Sequence, residues 1–228
     1  MRPGIVVTAR EGSLRLPGKH LMELDGEPML GVLLRRLSGF QVTVATTPGS
    51  YRIYQLTHEY GAEGFFDSAI DDDDVSLRVA KAGAVYDPII LVHGDSPWVD
   101  ARMLREALEL FERDGLDLLW NTSPSGFRWR IGRRRVFEAA TAPREHVLKA
   151  FTDVLPLRAR SVTHWLTSVK FSIDTKEDLA FANEIAEAIG VEAPADDVIA
   201  EGIRRRPHLR ETDATGHAPV DPVADIPA

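Results

Sequence analysis

Residues Val6–Lys19 read Val-Val-Thr-Ala-Arg-Glu-Gly-Ser-Leu-Arg-Leu-Pro-Gly-Lys, and the fold turns on this stretch. An apolar run, Ile5 to Val7, breaks off into a loop with Gly12, Ser13, Pro17 and Gly18 and the cations Arg10, Arg15 and Lys19. A buried strand that opens into a basic, glycine-containing loop is what a polyphosphate site requires. Glycine lets backbone N–H groups approach phosphate oxygens, and Arg and Lys neutralise the charge. The competing reading is a solvated turn; the position of these cations between two apolar stretches favours phosphate. The loop has neither the Gly-Lys-Ser/Thr ending of a P-loop nor the Gly-x-Gly-x-x-Gly of dinucleotide folds.

Outward from the loop the chain alternates strand and helix. Gly4–Thr8, Gln41–Ala45, Gly64–Phe66, Pro88–His93 and Asp117–Trp120 read as strands, and Met29–Leu37, Tyr51–Tyr60, Val75–Ala84 and Ala101–Arg113 as helices. In the last of these Met103, Leu104, Ala107, Leu108 and Phe111 form one stripe, and Asp100 is placed to cap it. Continuous apolar strands between amphipathic helices specify an α/β fold with a mainly parallel central sheet. Residues 124–143, with Arg128, Arg130 and Arg133–Arg135, read as a basic hairpin or insertion. Thr163–Lys170 reads as a strand and Phe171–Asp174 as the end of another. Thr175 and Asp178 have capping-box spacing for a helix that stops at Gly190. One domain over residues 1–192 is expected, with a C-terminal extension over 193–228. Its last part, 211–228, is rich in Pro, Ala, Asp and Thr without periodicity and is expected to be disordered.

At 228 residues, 44% hydrophobic and 27% charged, the composition is that of a soluble domain with a sizeable core. The formal charge, 27 − 35 = −8, argues against a nucleic-acid partner. It leaves room for a small anionic substrate, because the cations cluster locally. With no cysteine, disulfides, zinc thiolates and a cysteine nucleophile are excluded. No signal-like segment or long apolar run is evident, so a cytoplasmic protein without membrane contact is expected.

The second informative stretch is Ile89-Ile90-Leu91-Val92-His93-Gly94-Asp95-Ser96-Pro97. It delivers a carboxylate, Asp95, at the C-terminal end of a buried strand, where open α/β sheets bind ligands. A carboxylate there suits Mg²⁺, which takes one or two protein carboxylates plus phosphate oxygens; alternatively Asp95 braces the following turn. The run Asp71–Asp74 reads first as a solvated acidic loop.

Ala9–Lys19 resembles the signature of the CMP-sugar synthetases, cytidylyltransferases that activate acidic sugars, with the spore-coat-polysaccharide cytidylyltransferase-like proteins as the nearest relatives. The pattern Ala-Arg-x-Gly-Ser-x-Arg-Leu-Pro-Gly-Lys is matched at every defined position. Gly94-Asp95-Ser96-Pro97 resembles the family's metal motif, and Ile173–Leu179 its closing Val-Asp-Thr-x-Glu-Asp-Leu. Asp74-Val75-Ser76-Leu77-Arg78 and Arg144-Glu145-His146-Val147 resemble segments of the spore-coat relatives. The resemblance covers about residues 4–190 and implies a single-domain, three-layer nucleotide-diphospho-sugar transferase fold, Rossmann-like and related to the GT-A fold. It implies that Ala9, Arg10, Gly12, Ser13, Arg15, Lys19, Asp74, Arg78 and His93 contact the nucleotide, with Arg10, Lys19 and Asp95 catalytic. It implies Mg²⁺ on Asp95 and Asp174, Arg144 and His146 at the acceptor, CTP as substrate, and a homodimer. Two departures stand out: His93 replaces a glutamine of the octulosonate-type synthetases, and 124–143 carries arginines in place of an acidic segment.

The expected activity is Mg²⁺-dependent transfer of CMP from CTP to an acidic sugar, of the nonulosonate or octulosonate kind, with release of pyrophosphate. One alternative keeps the fold with a phosphorylated sugar or phosphonate acceptor, suggested by the arginines of 128–135, or with another nucleoside triphosphate. A second, of a different class, is a catalytically inactive nucleotide-binding regulatory protein.

Overall fold

The computed structural model describes residues 2–122, 124–140 and 157–209. Arg144, His146 and the 211–228 tail lie outside them. The chain runs β1 (Gly4–Thr8), a small ribbon of β2 (Glu23–Leu24) and β3 (Glu27–Pro28), α1 (Met29–Arg36), β4 (Val42–Ala45), α2 (Tyr51–Glu59), β5 (Glu63–Phe65) and α3 (Val75–Ala82). It continues through β6 (Ile89–His93), α4 (Ala101–Arg113), β7 (Leu118–Asn121), β8 (Trp129–Gly132), α5 (Arg134–Ala139), β9 (Ala159–Val162), α6 (Lys176–Ile189) and α7 (Ala195–Arg205). Seven strands form one sheet in the order β5-β4-β1-β6-β8-β7-β9. All pairings are parallel except those of β8, which is antiparallel to both β6 and β7.

Strand alternation places the core on both faces. Ile5, Val7, Ile90 and Val92 meet α1, α2, α4, α6 and α7 on one side, and Val6, Ile89 and Leu91 meet α3 and α5 on the other. Helix starts follow local chemistry. Asp74 caps α3 through Leu77 N–H, Asp100 caps α4 through Met103 N–H, and Thr175 with Asp178 closes the expected capping box on α6. The buried Arg36 guanidinium donates to the carbonyls of Val191 (2.7 Å), Ala193 (2.9 Å) and Trp98 (2.9 Å), tying α1 to the α6–α7 connection and the approach to α4.

The C-terminal third departs from the sequence reading. Thr163–Lys170 is not a strand; the strand is β9, immediately before it. β9 pairs with β7 up to Asn121↔Val162, and β7 ends there, so among the described residues those that follow have no strand to form a ladder with. Phe171–Asp174 is likewise irregular. Its backbone makes single bonds to two different loops, Phe171 N–H to Ser125 O (2.7 Å) and Ile173 N–H to Asp95 O (3.0 Å). The backbone of Phe171 passes so close to Gly126, which has φ +104°, that a Cβ there would overlap it. α7 sends Ala195, Val198 and Ile199 into the main core, so the core continues past residue 192.

Candidate active site

The chain winds outward from β1 through β4 to β5, then returns to lay β6 on the other side of β1. The C-terminal ends of β1 and β6 therefore flank a topological switch point, where open α/β sheets bind ligands. A cleft of about 590 Å³ opens there, and its lining includes Ala9, Arg10, Ser13, Arg15, Lys19, Arg78, His93 and Asp95. Of the remaining sequence-predicted nucleotide contacts, Gly12 sits on the loop outside this lining, and Asp74 caps α3.

The loop after β1 is pinned by Glu11. Its carbonyl accepts from Ser13 and Gly18 N–H (both 2.9 Å), and its own N–H donates to Ser50 Oγ (2.9 Å). Its carboxylate takes Nε (2.9 Å), NH2 (2.8 Å) and the backbone N–H (3.0 Å) of Arg52 at the start of α2. Gly18, in the left-handed region at φ +69°, then turns the chain so that Lys19 is directed inward.

The Lys19 ammonium is buried and bridges two carboxylates, Asp95 Oδ2 at 2.8 Å and Asp174 Oδ1 at 2.9 Å. Asp174 reaches this point because Ile173 N–H is bonded to the Asp95 carbonyl. Asp174 also meets Arg15 NH2 (2.8 Å) and Lys170 Nζ (3.2 Å). Asp178 accepts the backbone N–H groups of Asp174 and Thr175 (both 3.0 Å), which fixes the carboxylate's approach. Burial works against ionisation of both aspartates, yet the Lys19 ammonium holds each carboxyl below the usual range, with Lys170 helping at Asp174.

Two histidines face the same cleft. Burial pushes the His20 imidazole down to about 4, and the neighbouring Lys19 charge adds to the shift. His20 is thus neutral, and its Nδ1–H donates to the Arg10 carbonyl at 2.9 Å. Gly94 is needed beside it, because a Cβ there would lie 2.8 Å from His20 Cδ2 and 2.9 Å from the Thr8 carbonyl. His93, also depressed by burial, places Nδ1 3.0 Å from Thr8 Oγ1.

The acidic run serves the cations. Arg10 NH1 donates to Asp72 O (3.2 Å) and pairs with Asp73 (3.1 Å), and buried Arg78 donates to Asp72 O (3.1 Å), while its Nε has no partner among the described residues. The arginines of 128–135 divide. Arg133 pairs with Glu112, Arg134 with Glu138 and Arg135 with Asp117. They follow Gly132, which lies beside Ile89, at the end of β6 away from the cleft. Only Arg128 and Arg130, at the start of β8, lie at the cleft end. A phosphate-binding role for Arg133–Arg135 at the acceptor is thereby removed. His20, Glu11 and Lys170 are the site residues the sequence reading missed.

Asp95 fits a divalent cation: one oxygen is on Lys19, the other meets, among the described residues, only the Ser96 hydroxyl at 3.3 Å, and the side chain faces the cleft. Asp174 has both oxygens engaged by cations. Among the described residues there is no group of three or more His, Asp or Glu placed to hold a metal. An ion on Asp95 would therefore draw most of its shell from phosphate oxygens and water.

A mainly parallel sheet with a basic loop after its first strand, and a carboxylate facing that loop from the adjacent strand, defines a nucleotidyltransferase of the Rossmann-like NTP-transferase fold. The chain belongs to the cytidylyltransferase family, whose model matches residues 5–154. It is similar to a 3-deoxy-manno-octulosonate cytidylyltransferase of Mesorhizobium japonicum, 32% identical over 123 residues, 50% of this chain and 50% of that one. It thus spans about half the length of that relative. Another protein of the same description, from Parvibaculum lavamentivorans, is 26% identical over 229 residues, covering 88% of this chain and 87% of its own. A cytidylyltransferase structure from Leptospira borgpetersenii superposes with a TM-score of 0.79 at 22% identity, over 95% of this chain and 100% of that one. Among the described residues no helix is long and apolar enough to cross a membrane.

Proposed function

We propose that the protein transfers CMP from CTP to an acidic sugar of the octulosonate or nonulosonate kind and releases pyrophosphate. The observation that carries this reading is the convergence of Arg10, Ser13, Arg15 and Lys19 with Asp95 on one cleft. The relatives' descriptions as octulosonate cytidylyltransferases support the choice of nucleotide and acceptor.

Arg10, Ser13 and Arg15 bind the β- and γ-phosphates, with the loop backbone held by Glu11. Lys19, drawn between two carboxylates, is a fixed positive charge beside the α-phosphate. Asp95 would hold a Mg²⁺ ion, with Asp174 as the candidate for a second where the phosphates draw Arg15 and Lys19 away from it. When bound, the metal neutralises charge on the phosphates and orients the leaving group. The acceptor hydroxyl oxygen bonds to the α-phosphorus, the bond from that phosphorus to the bridging oxygen breaks, pyrophosphate leaves with the electron pair, and the hydroxyl proton passes to water. Such chemistry is positioning plus electrostatic stabilisation.

Thermal stability with CTP, UTP, GTP or ATP, with and without Mg²⁺, tests the reading. A ligand bound only to the folded state adds about 2.7 kcal/mol at one hundred times its Kd. A Mg²⁺-dependent rise with CTP, followed by pyrophosphate release on adding 3-deoxy-manno-octulosonate, is expected. Asp95→Ala should lower kcat on the order of 10²-fold or more, by analogy with lost electrostatic donors. No rise with any nucleotide would end the proposal. The reading includes a homodimer, which gel filtration at the single-chain mass of 25.3 kDa would remove.

A further inference from the structure

A further cation stands against His93, one of the residues that line the cleft. Arg130 lies on β8 opposite Leu91 of β6, and so on the same sheet face as His93. Its NH1 faces His93 Nε2 at 3.5 Å. A nitrogen facing a guanidinium can only accept, so neutral His93 carries its proton on Nδ1 and donates it to Thr8 Oγ1 at 3.0 Å. Thr8, His93 and Arg130, on three adjacent strands, thus form a line that aims the guanidinium. Among the described residues no carboxylate pairs with Arg130, whereas Arg133, Arg134 and Arg135 each have one.

We propose that Arg130, aimed by His93, binds the anionic group of the acceptor, a carboxylate on the carbon that bears the attacking hydroxyl. This rests on the nucleotidyl-transfer reading above. His93 lines the cleft together with Asp95, and its Nε2 faces Arg130 NH1. In the ring form of a 2-keto sugar acid, the carboxylate and the anomeric hydroxyl share one carbon. From its place against His93, Arg130 holds that carboxylate while the hydroxyl faces the α-phosphate. Burial pulls the Arg130 pKa down to about 10, and Arg128 adds to it with no acid opposing. A half-buried guanidinium with no counter-ion among the described residues is costly until an anion completes it. On this assignment the histidine at position 93 serves the acceptor through Arg130 rather than reading the base.

The test uses the full chain as wild type, Arg130→Met, Arg130→Lys and His93→Phe. Calorimetric titrations with 3-deoxy-manno-octulosonate and, separately, inorganic phosphate are run without Mg²⁺. Octulosonate KM and the CTP-induced Tm shift are then measured with it. Arg130→Met should weaken octulosonate binding and raise its KM by about ten- to hundredfold, leaving the CTP shift unchanged. Arg130→Lys should recover part of the loss, and His93→Phe should fall between wild type and Arg130→Met. Wild-type octulosonate affinity in Arg130→Met, a loss confined to CTP, or a wild type that binds neither anion would overturn the proposal. Phosphate binding without octulosonate binding would overturn the carboxylate assignment in favour of a phosphorylated acceptor. If CTP gives no shift in wild type while octulosonate binding still depends on Arg130, the CMP-transfer reading fails and the anion site stands.

Discussion

His20 makes the apo protein acid-labile in a defined window. Its pKa is about 4 in the folded chain against an ordinary 6.5, because burial and Lys19 disfavour the imidazolium. Between those two values the unfolded chain binds more protons than the folded one, so stability rises with pH and is lost as pH falls through the window. At 1.36 kcal/mol per pKa unit, the loss attributable to His20 is about 2 kcal/mol by pH 5 and about 3 kcal/mol by pH 4. His93 is shifted in the same direction and adds its own loss, so the wild-type curve alone does not isolate His20. The comparison is with His20→Asn, whose amide can replace Nδ1–H as donor to the Arg10 carbonyl but does not titrate. Urea unfolding of both proteins without nucleotide, at half-unit steps from pH 7.5 to 4.5, gives the difference curve. The variant should be nearly level with wild type at low pH and less penalised by acid, the two curves converging by about 2 kcal/mol between pH 7.5 and 5. Curves that run parallel over that range would refute the claim that His20 is buried and neutral.

Two further outcomes follow from contacts described above. Glu11→Ala removes the clamp on Arg52, and the KM for CTP should rise about fivefold with kcat within a factor of two, as expected for losing roughly 1 kcal/mol of loop ordering; steady-state pyrophosphate release measures it. Arg36→Met strands the carbonyls of Val191, Ala193 and Trp98, costing about 3 kcal/mol and lowering Tm by about 6–12 °C; a Tm within 2 °C of wild type on calorimetry would contradict it.

The parts of the site legible from sequence are those in which strand and ligand-bearing loop are contiguous. Ile5–Lys19 and Ile89–Asp95 each carry an apolar run and its polar ending in one stretch, so both placement and chemistry are local. Asp174 could be reached only through resemblance to a family motif, because a single backbone bond from Ile173 to a residue far back in the chain brings it to Lys19. His20 and Glu11 look like ordinary loop residues; their role depends on Gly94 and on Arg52, both distant in sequence. β9 was missed because Ala-Arg-Ser-Val is an edge strand with little buried surface and no apolar signal. α7 falls in what the sequence reads only as a C-terminal extension: its acids and arginines mask the helical spacing of Ala195, Val198, Ile199 and Gly202 on one buried side.

The lysine shared by two aspartates has a consequence during synthesis. Asp174 lies 155 residues beyond Lys19, so at about 5–20 residues per second it leaves the ribosome roughly 8–30 s later. Through that interval a nascent chain displays the basic loop without the second carboxylate that restrains Lys19 and Arg15. Until then Arg15 lacks Asp174 and Lys19 has only Asp95, next to a ribosome coated in phosphate. Docking of the segment ahead of α6 quenches that charge and completes the cleft in one event, so competence to hold nucleotide in the finished geometry reports that nearly the whole domain has folded.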